Sequence, residues 1–473
     1  MNKYKKLVSN TAILGIGTFA SKLLVFFLMP LYTRCLTTAE YGNADLIMQT
    51  SNLLMPLISL GICEAVFRYT LDGNKYDRRE VFSSGFVTLL LGTVVFLALT
   101  PMLFYVPYFG ADTWLIFLYV IAAIFHSLCA QFVRAEGKTA LFAFQGILAT
   151  ALTISFNILF LVGFSMKVTG YVLSVILADV ISTLFLLIYA KLYKNISIKA
   201  VKKDILRSML KYSIPLIPTT VFWWATNVAD RYMVEHICGD SVNGLYAVSY
   251  KIPTLLILLS GIFIEAWQFS AVTERGDGDG EHSRFFGTIF DSFQAIMFIA
   301  GAFLVAFAKI CTMILVSPEF YASWQYIPIL SVATIFSSLV TFMGSVYLVE
   351  KKSVLSFVTS AIGAFINILL NLILIPVWGA NGAAIATFAC YFVVFIIRAI
   401  NTQKYIKFNL HTIKLVVNTL IVALQCAAMI FEVRAWMFIQ CIAILAIVII
   451  NARPIYMGVI KVFERKLKIK KRD

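Results

Sequence analysis

Four basic residues of this sequence lie in or at the ends of long apolar stretches. Lys22 and Lys251 lie near the middle of theirs, roughly 16 to 21 Å from one end at the helical rise, and Arg34 and Arg231 lie near the far ends. An ionised group deep in an apolar layer costs at least ~2.5 kcal/mol, so it should face a polar cavity or a partner. The four cations could therefore line a cavity for an anionic group. The alternative is local, with side chains that snorkel or pair with neighbours, as Arg231 could with Asp230.

Acidic residues in the same stretches could carry a coupling ion or gate a cavity. Asp179 lies deepest, and its carboxylate could bind a coupling proton or be the structural partner of a lysine. Glu64 and Glu265 occupy matching positions near stretch ends, which favours gating or helix pairing. His126 is interpreted as a packing histidine rather than a proton relay. The candidate acids for coupling or gating are Asp45, Asp179, Asp230, Glu64 and Glu265.

The composition places these residues in a membrane. Of the 473 residues 60% are apolar and 13% are charged, whereas soluble proteins have roughly half apolar and about a quarter charged residues. A spanning helix needs about 20 apolar residues, and that criterion gives fourteen candidate spans. The predicted fold is therefore an all-α integral membrane protein. The spans are 8–34, 41–69, 81–106, 113–134, 139–164, 170–192, 212–236, 240–272, 285–316, 324–349, 353–377, 381–399, 412–432 and 435–452.

The basic residues predict the orientation of the chain. When loops alternate between the two sides, 32 of the 39 Lys and Arg, Arg398 and Lys414 among them, fall on the side of both termini, and Arg34, Lys167 and Arg434 fall on the other. Short cytoplasmic loops are enriched in Lys and Arg, so both termini are expected in the cytoplasm. Anionic lipid head groups are the expected partner of this face, and nucleic acid is not implied. Lys309 is interpreted as a residue of the outer interface.

The first twelve spans divide into two similar halves. Gly42 and Glu64 of span two match Gly244 and Glu265 of span eight, and the motif around Asn157 in span five matches a motif in span eleven. Both halves begin on the same side, which predicts two six-helix lobes related by a pseudo-two-fold axis along the membrane normal, with two further helices. The predicted divisions are the first lobe 1–193, a basic cytoplasmic linker 194–211, the second lobe 212–405, helices 13 and 14 at 406–455, and a basic cytoplasmic tail 456–473.

The sequence lacks the motifs of soluble enzymes. It has no phosphate-binding G-x-x-x-x-G-K-[ST], no G-x-S-x-G and no H-E-x-x-H, and its eight Cys are scattered. We therefore expect no catalytic residue, no metal site and no cofactor. Energy for transport would come from an ion gradient, the membrane potential or the gradient of the substrate.

Three groups of residues resemble a known family. Ser21-Lys22, Pro30-Leu31-Tyr32-Thr33-Arg34 and Glu40-Tyr41-Gly42 are similar to the opening of Wzx-type polysaccharide flippases of the MOP (MATE-like) exporter superfamily. Ala229-Asp230-Arg231-Tyr232 with the motif 244–252 resembles the opening of that family's second lobe. The motifs 371–376 and 382–387 resemble its spans eleven and twelve, so the likeness covers nearly the whole chain.

The resemblance implies a flippase for O-antigen or capsule precursors in the bacterial plasma (inner) membrane. Such a protein moves undecaprenyl-pyrophosphate-linked oligosaccharides between leaflets by alternating access, and Lys22, Arg34, Arg231 and Lys251 would bind the pyrophosphate or glycan. Polysaccharide assembly proteins would be further partners, and we expect a monomer. The alternatives are a MurJ-like lipid II flippase, a MATE-type exporter of drugs or cations and, from another class, a membrane polymerase or ligase, for which the outer loops are short.

Overall fold

The computed structural model describes residues 26–72, 76–103, 113–273, 279–350 and 352–470 of the chain. Every regular element in these ranges is a helix, so the predicted all-α class is confirmed. The helices are α1 Met29–Cys35, α2 Thr38–Ile58, α3 Ile62–Leu71, α4 Arg78–Leu103, α5 Thr113–Ala135, α6 Thr139–Asn157, α7 Lys167–Tyr189, α8 Lys203–Ser213, α9 Ile217–Cys238, α10 Asp240–Ser249, α11 Thr254–Thr273, α12 Asp279–Ala306, α13 Ala308–Leu315, α14 Ile327–Val349, α15 Ser353–Thr402, α16 Thr412–Ile430 and α17 Trp436–Lys470.

Most of the helices are long and apolar enough to cross a membrane. Within the described ranges ten helical segments meet that criterion, and α2 with α3, which meet at a bend of 57°, would form an eleventh span. One of the ten, Val354–Thr402, is a 49-residue segment that contains two predicted spans. The first predicted span lies mostly outside the described residues, and α9 is too polar to be counted. The total of fourteen spans therefore stays a prediction.

The contacts divide the chain into two compact units, Met1–Trp224 and Ala225–Asp473, called unit 1 and unit 2 below. The division falls within α9, later than the basic linker predicted at 194–211. That linker forms two short 3₁₀ turns followed by α8. Its Lys202 forms an ion pair with Glu80 of α4, which raises the pKa of the lysine. The boundaries of the two predicted lobes remain a prediction.

In unit 1 the second predicted span is broken between α2 and α3. Pro56 lies near the end of α2, and Gly61 has a φ of +63°, a left-handed conformation that glycine adopts without strain. Ser213 Oγ donates a hydrogen bond of 2.7 Å to the Leu60 carbonyl, and a Cβ on Gly61 would lie 3.2 Å from the Ser213 carbonyl oxygen. The end of α8 therefore packs against the break.

In unit 2, α15 is a helical hairpin. A straight helix of its 50 residues would be about 75 Å long, but Gly379 has non-helical angles of φ 56° and ψ −143°. A Cβ on Gly382 would lie 2.3 Å from the Leu374 carbonyl oxygen, so the chain reverses tightly here. Cys390 Sγ on the second arm donates to the Gly363 carbonyl on the first arm. The two arms are the predicted spans 353–377 and 381–399.

The core of unit 2 is rich in phenylalanine. Phe290 and Phe293 on α12 have rings 5.3 and 5.4 Å from that of Phe342 on α14. Phe336 on α14 packs edge-to-face against Phe395 on the second arm of α15. These rings join α12, α14 and α15 in one apolar cluster.

Candidate functional site

The four predicted cations lie in different settings. Lys22 lies outside the described residues. Arg34 is exposed in the last turn of α1 in unit 1. Arg231 is buried in α9 and Lys251 is half-buried just after α10, both in unit 2. The structure therefore brings two of the four into one neighbourhood, and a cleft shared by all four stays a prediction.

The polar centre of unit 2 is Asp230, which is fully buried. Its Oδ2 accepts hydrogen bonds from the hydroxyls of Tyr246 at 2.7 Å, Tyr250 at 2.6 Å and Thr387 at 3.3 Å. Its Oδ1 makes no hydrogen bond within the described part of the chain. Three hydroxyls aimed at one oxygen stabilise a charged carboxylate in an otherwise apolar region.

Arg231 and Lys251 are linked through one tyrosine. The guanidinium of Arg231 lies over the Tyr250 ring, 4.6 Å from its centroid, and it also interacts electrostatically with Asp230. Lys251 follows Tyr250 directly, at the interruption between α10 and α11. Pro253 lacks an N–H and so cannot continue the hydrogen-bond ladder of α10, which ends the helix at Ser249. Asp230, Arg231 and Tyr250 thus form one local cluster, and Lys251 is the next residue in the chain.

The cluster continues into the α15 hairpin. Thr387, which donates to Asp230, lies 3.4 Å from the amide nitrogen of Asn367, and Asn371 donates to Asn367 Oδ1 at 2.9 Å. These side chains are buried and join both arms of α15 to α9. The asparagines therefore bond between helices, as small polar residues commonly do in membrane bundles.

Sequence reasoning missed the hydroxyl groups of this cluster. A signal was present for Tyr246 and Tyr250, since residues four apart share one face of a helix and both precede Lys251. Tyr391, whose hydroxyl donates to Asn227 Oδ1 at 2.6 Å, and Thr387 carried no such signal, because their partners lie more than 150 residues away in sequence.

The predicted acids of unit 1 are not gathered into one site. Asp45 is buried on α2, and Gln49 donates to it over 3.5 Å. Glu64 is exposed in the first turn of α3. Asp179 lies on α7, where its Oδ1 is 2.8 Å from His126 Nδ1 of α5. The side chain of Glu265, on α11 of unit 2, lies outside the described residues.

His126 has a more specific environment than a packing histidine. Its second ring nitrogen, Nε2, lies 2.7 Å from Gln145 Oε1 of α6, so three helices of unit 1 meet at this ring. The partner of Asp179 is therefore a histidine. A lysine partner, which was one of the alternatives, is not the contact that the structure shows for this carboxylate.

A second polar contact in unit 1 joins its first, fifth and sixth predicted spans. Asn157, at the end of α6, donates to the Tyr32 hydroxyl of α1 at 3.2 Å, and the Tyr32 ring packs edge-to-face on Tyr171 of α7. Asn157 is the residue that the sequence comparison pairs with Asn367. Asn157 bonds to the first span of its unit and Asn367 to the last span of its own, so the predicted repeat stays a prediction.

Arg398 was assigned to the cytoplasmic side, which stays a prediction, and the structure shows that it is a buried helical residue. It is 5% exposed on the second arm of α15, where its guanidinium donates to Thr359 Oγ1, Ser360 Oγ and two carbonyl oxygens. A Cβ on Gly344 would lie 2.9 Å from its Nη1, so that glycine leaves room for the guanidinium. Arg398 lies one turn from the end of its helix.

Two further cations are paired at the ends of helices in unit 2. Lys414 of α16 donates to Asp291 of α12 at 2.6 Å. Lys309 of α13 pairs with Glu432 at 2.5 Å and lies over the rings of Trp324 at 4.0 Å and Trp436 at 5.0 Å. Tryptophan is typical of membrane interfaces, which agrees with the predicted interfacial place of Lys309.

Comparison with known proteins supplies the family. A family model described as "Polysaccharide biosynthesis protein" matches residues 7–267. "Uncharacterized membrane protein MJ1375" of Methanocaldococcus jannaschii is 25% identical over 388 residues, which cover 76% of this chain and 89% of that protein.

Solved structures share the fold at low identity. A lipid II flippase MurJ in an inward closed conformation superposes with a TM-score of 0.70 at 14% identity, over 95% of this chain and all of that chain. An inward-facing MATE family multidrug transporter of the MOP superfamily has a TM-score of 0.65 at 13% identity, over 83% of this chain and 95% of that chain. Because the family match covers more than half of the sequence, the chain belongs to the polysaccharide biosynthesis protein family, a group of multi-pass membrane proteins with the fold of MOP transporters.

Proposed function

We propose that the protein is a flippase that moves undecaprenyl-pyrophosphate-linked oligosaccharides from the inner to the outer leaflet of a bacterial plasma membrane. Membership in a polysaccharide biosynthesis family supports a glycan cargo, and the shared fold with a lipid II flippase supports a lipid-linked one. The proposal includes alternating access by two lobes and cytoplasmic termini.

The observation that carries the proposal is the pair of cations beside Tyr250. Arg231 is buried beside the Tyr250 ring in unit 2, and Lys251 is the residue that follows Tyr250; both were predicted to line the cavity. A pyrophosphate carries two negative charges and forms strong charge-assisted hydrogen bonds with guanidinium and ammonium groups. An exporter of cationic drugs would instead benefit from a cavity dominated by acids.

The cargo can be identified by deleting the gene in its natural host. We expect mass spectrometry of the lipid extract to reveal accumulated undecaprenyl-pyrophosphate-linked oligosaccharide, together with loss of the corresponding surface polysaccharide. Accumulated lipid II would favour the peptidoglycan precursor instead. Unchanged lipid-linked sugars with increased drug sensitivity would support the exporter and contradict the proposal.

The cation pair is best tested at Lys251, since Arg231 is buried and its replacement could impair folding. We expect Lys251→Ala to reduce surface polysaccharide at least tenfold at equal protein level, because a lost charge-assisted bond of about 1.5 to 3 kcal/mol corresponds to that factor or more. Lys199→Ala is the matched control, since Lys199 is exposed in the linker. Full surface polysaccharide in Lys251→Ala would exclude a role of this lysine in cargo binding.

A further inference from the structure

A half-buried histidine forms hydrogen bonds in the middle of unit 1. His126 Nδ1 lies 2.8 Å from Asp179 Oδ1, and Nε2 lies 2.7 Å from Gln145 Oε1. Each ring nitrogen therefore faces an oxygen, and both oxygens are acceptors when Asp179 is ionised. A neutral imidazole has one N–H donor and one bare nitrogen, so it can satisfy one of these contacts but not both. The observed geometry fits a doubly protonated ring.

The surroundings favour that charged form. An imidazolium beside an ionised carboxylate is a neutral pair, whereas a neutral ring would leave the Asp179 charge without a counter-charge in a region of low polarity. The Gln145 amide adds a second acceptor from a third helix. The ring is thus held from both sides in the orientation that keeps two N–H groups bonded.

The site lies at the middle of its helices, and its two side chains are partly exposed. His126 is 13 residues from the start of α5 and Asp179 is 12 residues from the start of α7, which places both about 18 to 20 Å along their helices, in the middle of each span. The side chains of His126 and Asp179 are 17% and 16% exposed. Neither side chain is therefore fully enclosed by protein.

We propose that His126, Asp179 and Gln145 form a proton-binding site of unit 1 that is loaded and emptied during the transport cycle. In the loaded state the ring is an imidazolium and Asp179 is a carboxylate. In the emptied state the proton on Nε2 has passed to water, and the neutral ring keeps its Nδ1–H bond to Asp179. The Gln145 amide then turns by 180° so that its NH₂ group donates to the bare Nε2.

Other ionisable groups on the neighbouring helices do not compete for this proton near neutral pH. Tyr119, which interacts electrostatically with Asp179, and Tyr171 carry phenols, which are neutral groups near pH 7. Helix α6 carries no ionisable side chain. The charged residues of α3 and α4 lie at exposed positions or in ion pairs. The charged residues of these helices and of α2 are Glu40 and Asp45 of α2, Glu64 and Arg68 of α3, and Arg78, Arg79 and Glu80 of α4.

The protonation state can be measured directly by nitrogen-15 NMR of histidine-labelled full-length protein in lipid nanodiscs. The chain has four histidines, and His126→Gln identifies the signal of interest. At pH 7.5 an ordinary histidine is about one-tenth protonated. We expect His126 to carry protons on both ring nitrogens at that pH. A single ring proton on His126 would overturn the proposal.

Two matched acid variants test whether Asp179 causes the double protonation of His126. Asp179→Asn should return His126 to the neutral form at pH 7.5, because the counter-charge is lost. Asp45→Asn, which removes an acid of the same unit that bonds to Gln49, should leave both protons in place. Equal behaviour of His126 in the two variants would contradict the assigned pair.

The role in transport rests on the proposed function and needs a second measurement. In proteoliposomes that contain the accumulated lipid-linked oligosaccharide, we expect wild-type translocation to change at least tenfold across a gradient of one pH unit, and His126→Gln to lose that dependence. The same pH dependence in both proteins would refute the role in the cycle. No translocation by either protein would instead refute the proposed cargo, while the NMR result would still report on the site.

Discussion

At the scale of single residues, Asp230 shows how unit 2 provides a buried acid with hydrogen-bond donors in an apolar region. Three hydroxyls on two helices donate to one of its oxygens, and Tyr250 also stacks beneath Arg231. The tyrosine therefore couples the acid to the cation. Removal of one of these donors should lower the stability of the protein more than removal of a surface hydroxyl, since the acceptor stays buried.

We predict that Tyr250→Phe lowers the stability of unit 2 by about 1 to 2 kcal/mol, because hydrogen bonds inside membrane proteins reach ~1.7 kcal/mol and bonds to charged groups are at the upper end. Thermal unfolding of the purified protein in detergent measures this change. Tyr193→Phe is the control, since Tyr193 is 53% exposed in the linker. Equal midpoints for the two variants would contradict a structural bond between Tyr250 and Asp230.

At the scale of elements, the α15 hairpin positions Thr387 and Asn367 beside Asp230. The hairpin depends on the reversal at Gly379, whose angles of φ 56° and ψ −143° suit glycine and strain any residue with a Cβ. Arg398 joins the two arms to α14 near the other end. The turn at Gly379 and the guanidinium of Arg398 therefore stabilise opposite ends of the α15 hairpin.

Gly379→Ala should destabilise the protein by about 1 to 3 kcal/mol, the usual cost of a strained backbone conformation. Gly261→Ala is a suitable control, because Gly261 lies within α11 and a Cβ there would meet no atom within 4 Å. Alanine in a helix is up to about 1 kcal/mol more favourable than glycine, so this control should be neutral or stabilising. A thermal midpoint of Gly379→Ala at or above that of Gly261→Ala would be inconsistent with the turn.

Arg398→Lys should also destabilise the hairpin, by about 2 to 3 kcal/mol, although it keeps the charge. Lysine lacks the planar fork that reaches Thr359, Ser360 and the Val340 carbonyl together, so buried acceptors lose their donors. Arg284→Lys, on an exposed position of α12, should change stability by less than about 0.5 kcal/mol. Denaturant titration in detergent can compare the two, and a similar loss in both would argue against the buried network.

At the scale of the whole molecule, the charge distribution predicts one orientation. The net charge of +15 is carried mainly by loops assigned to one side, including the linker helix α8 with Lys203, Arg207 and Lys211 exposed along one face. Such residues remain on the cytoplasmic side during insertion. An even number of spans is the consequence.

Reporter fusions test that orientation. Fluorescent protein fused after residues 199 and 473 should fold and fluoresce, because both points are predicted to be cytoplasmic, whereas alkaline phosphatase should be active after residues 166 and 434 on the outer side. Each reporter at the opposite sites serves as its control. Phosphatase activity at residue 473 would imply an odd number of spans and rule out the predicted topology.

Hydropathy by itself predicted the all-α membrane class and most span positions, because a span requires about 20 apolar residues. It also predicted the two arms on either side of Gly379, because a break separates their apolar stretches. The motifs around Arg34 and Arg231 were sufficient for the family. The contacts of Tyr250, His126 and Arg398 depended on the tertiary structure. In a lipid environment both the lipid-facing and the protein-facing sides of a helix are apolar, so a sequence predicts where a helix spans but only packing decides which polar groups meet.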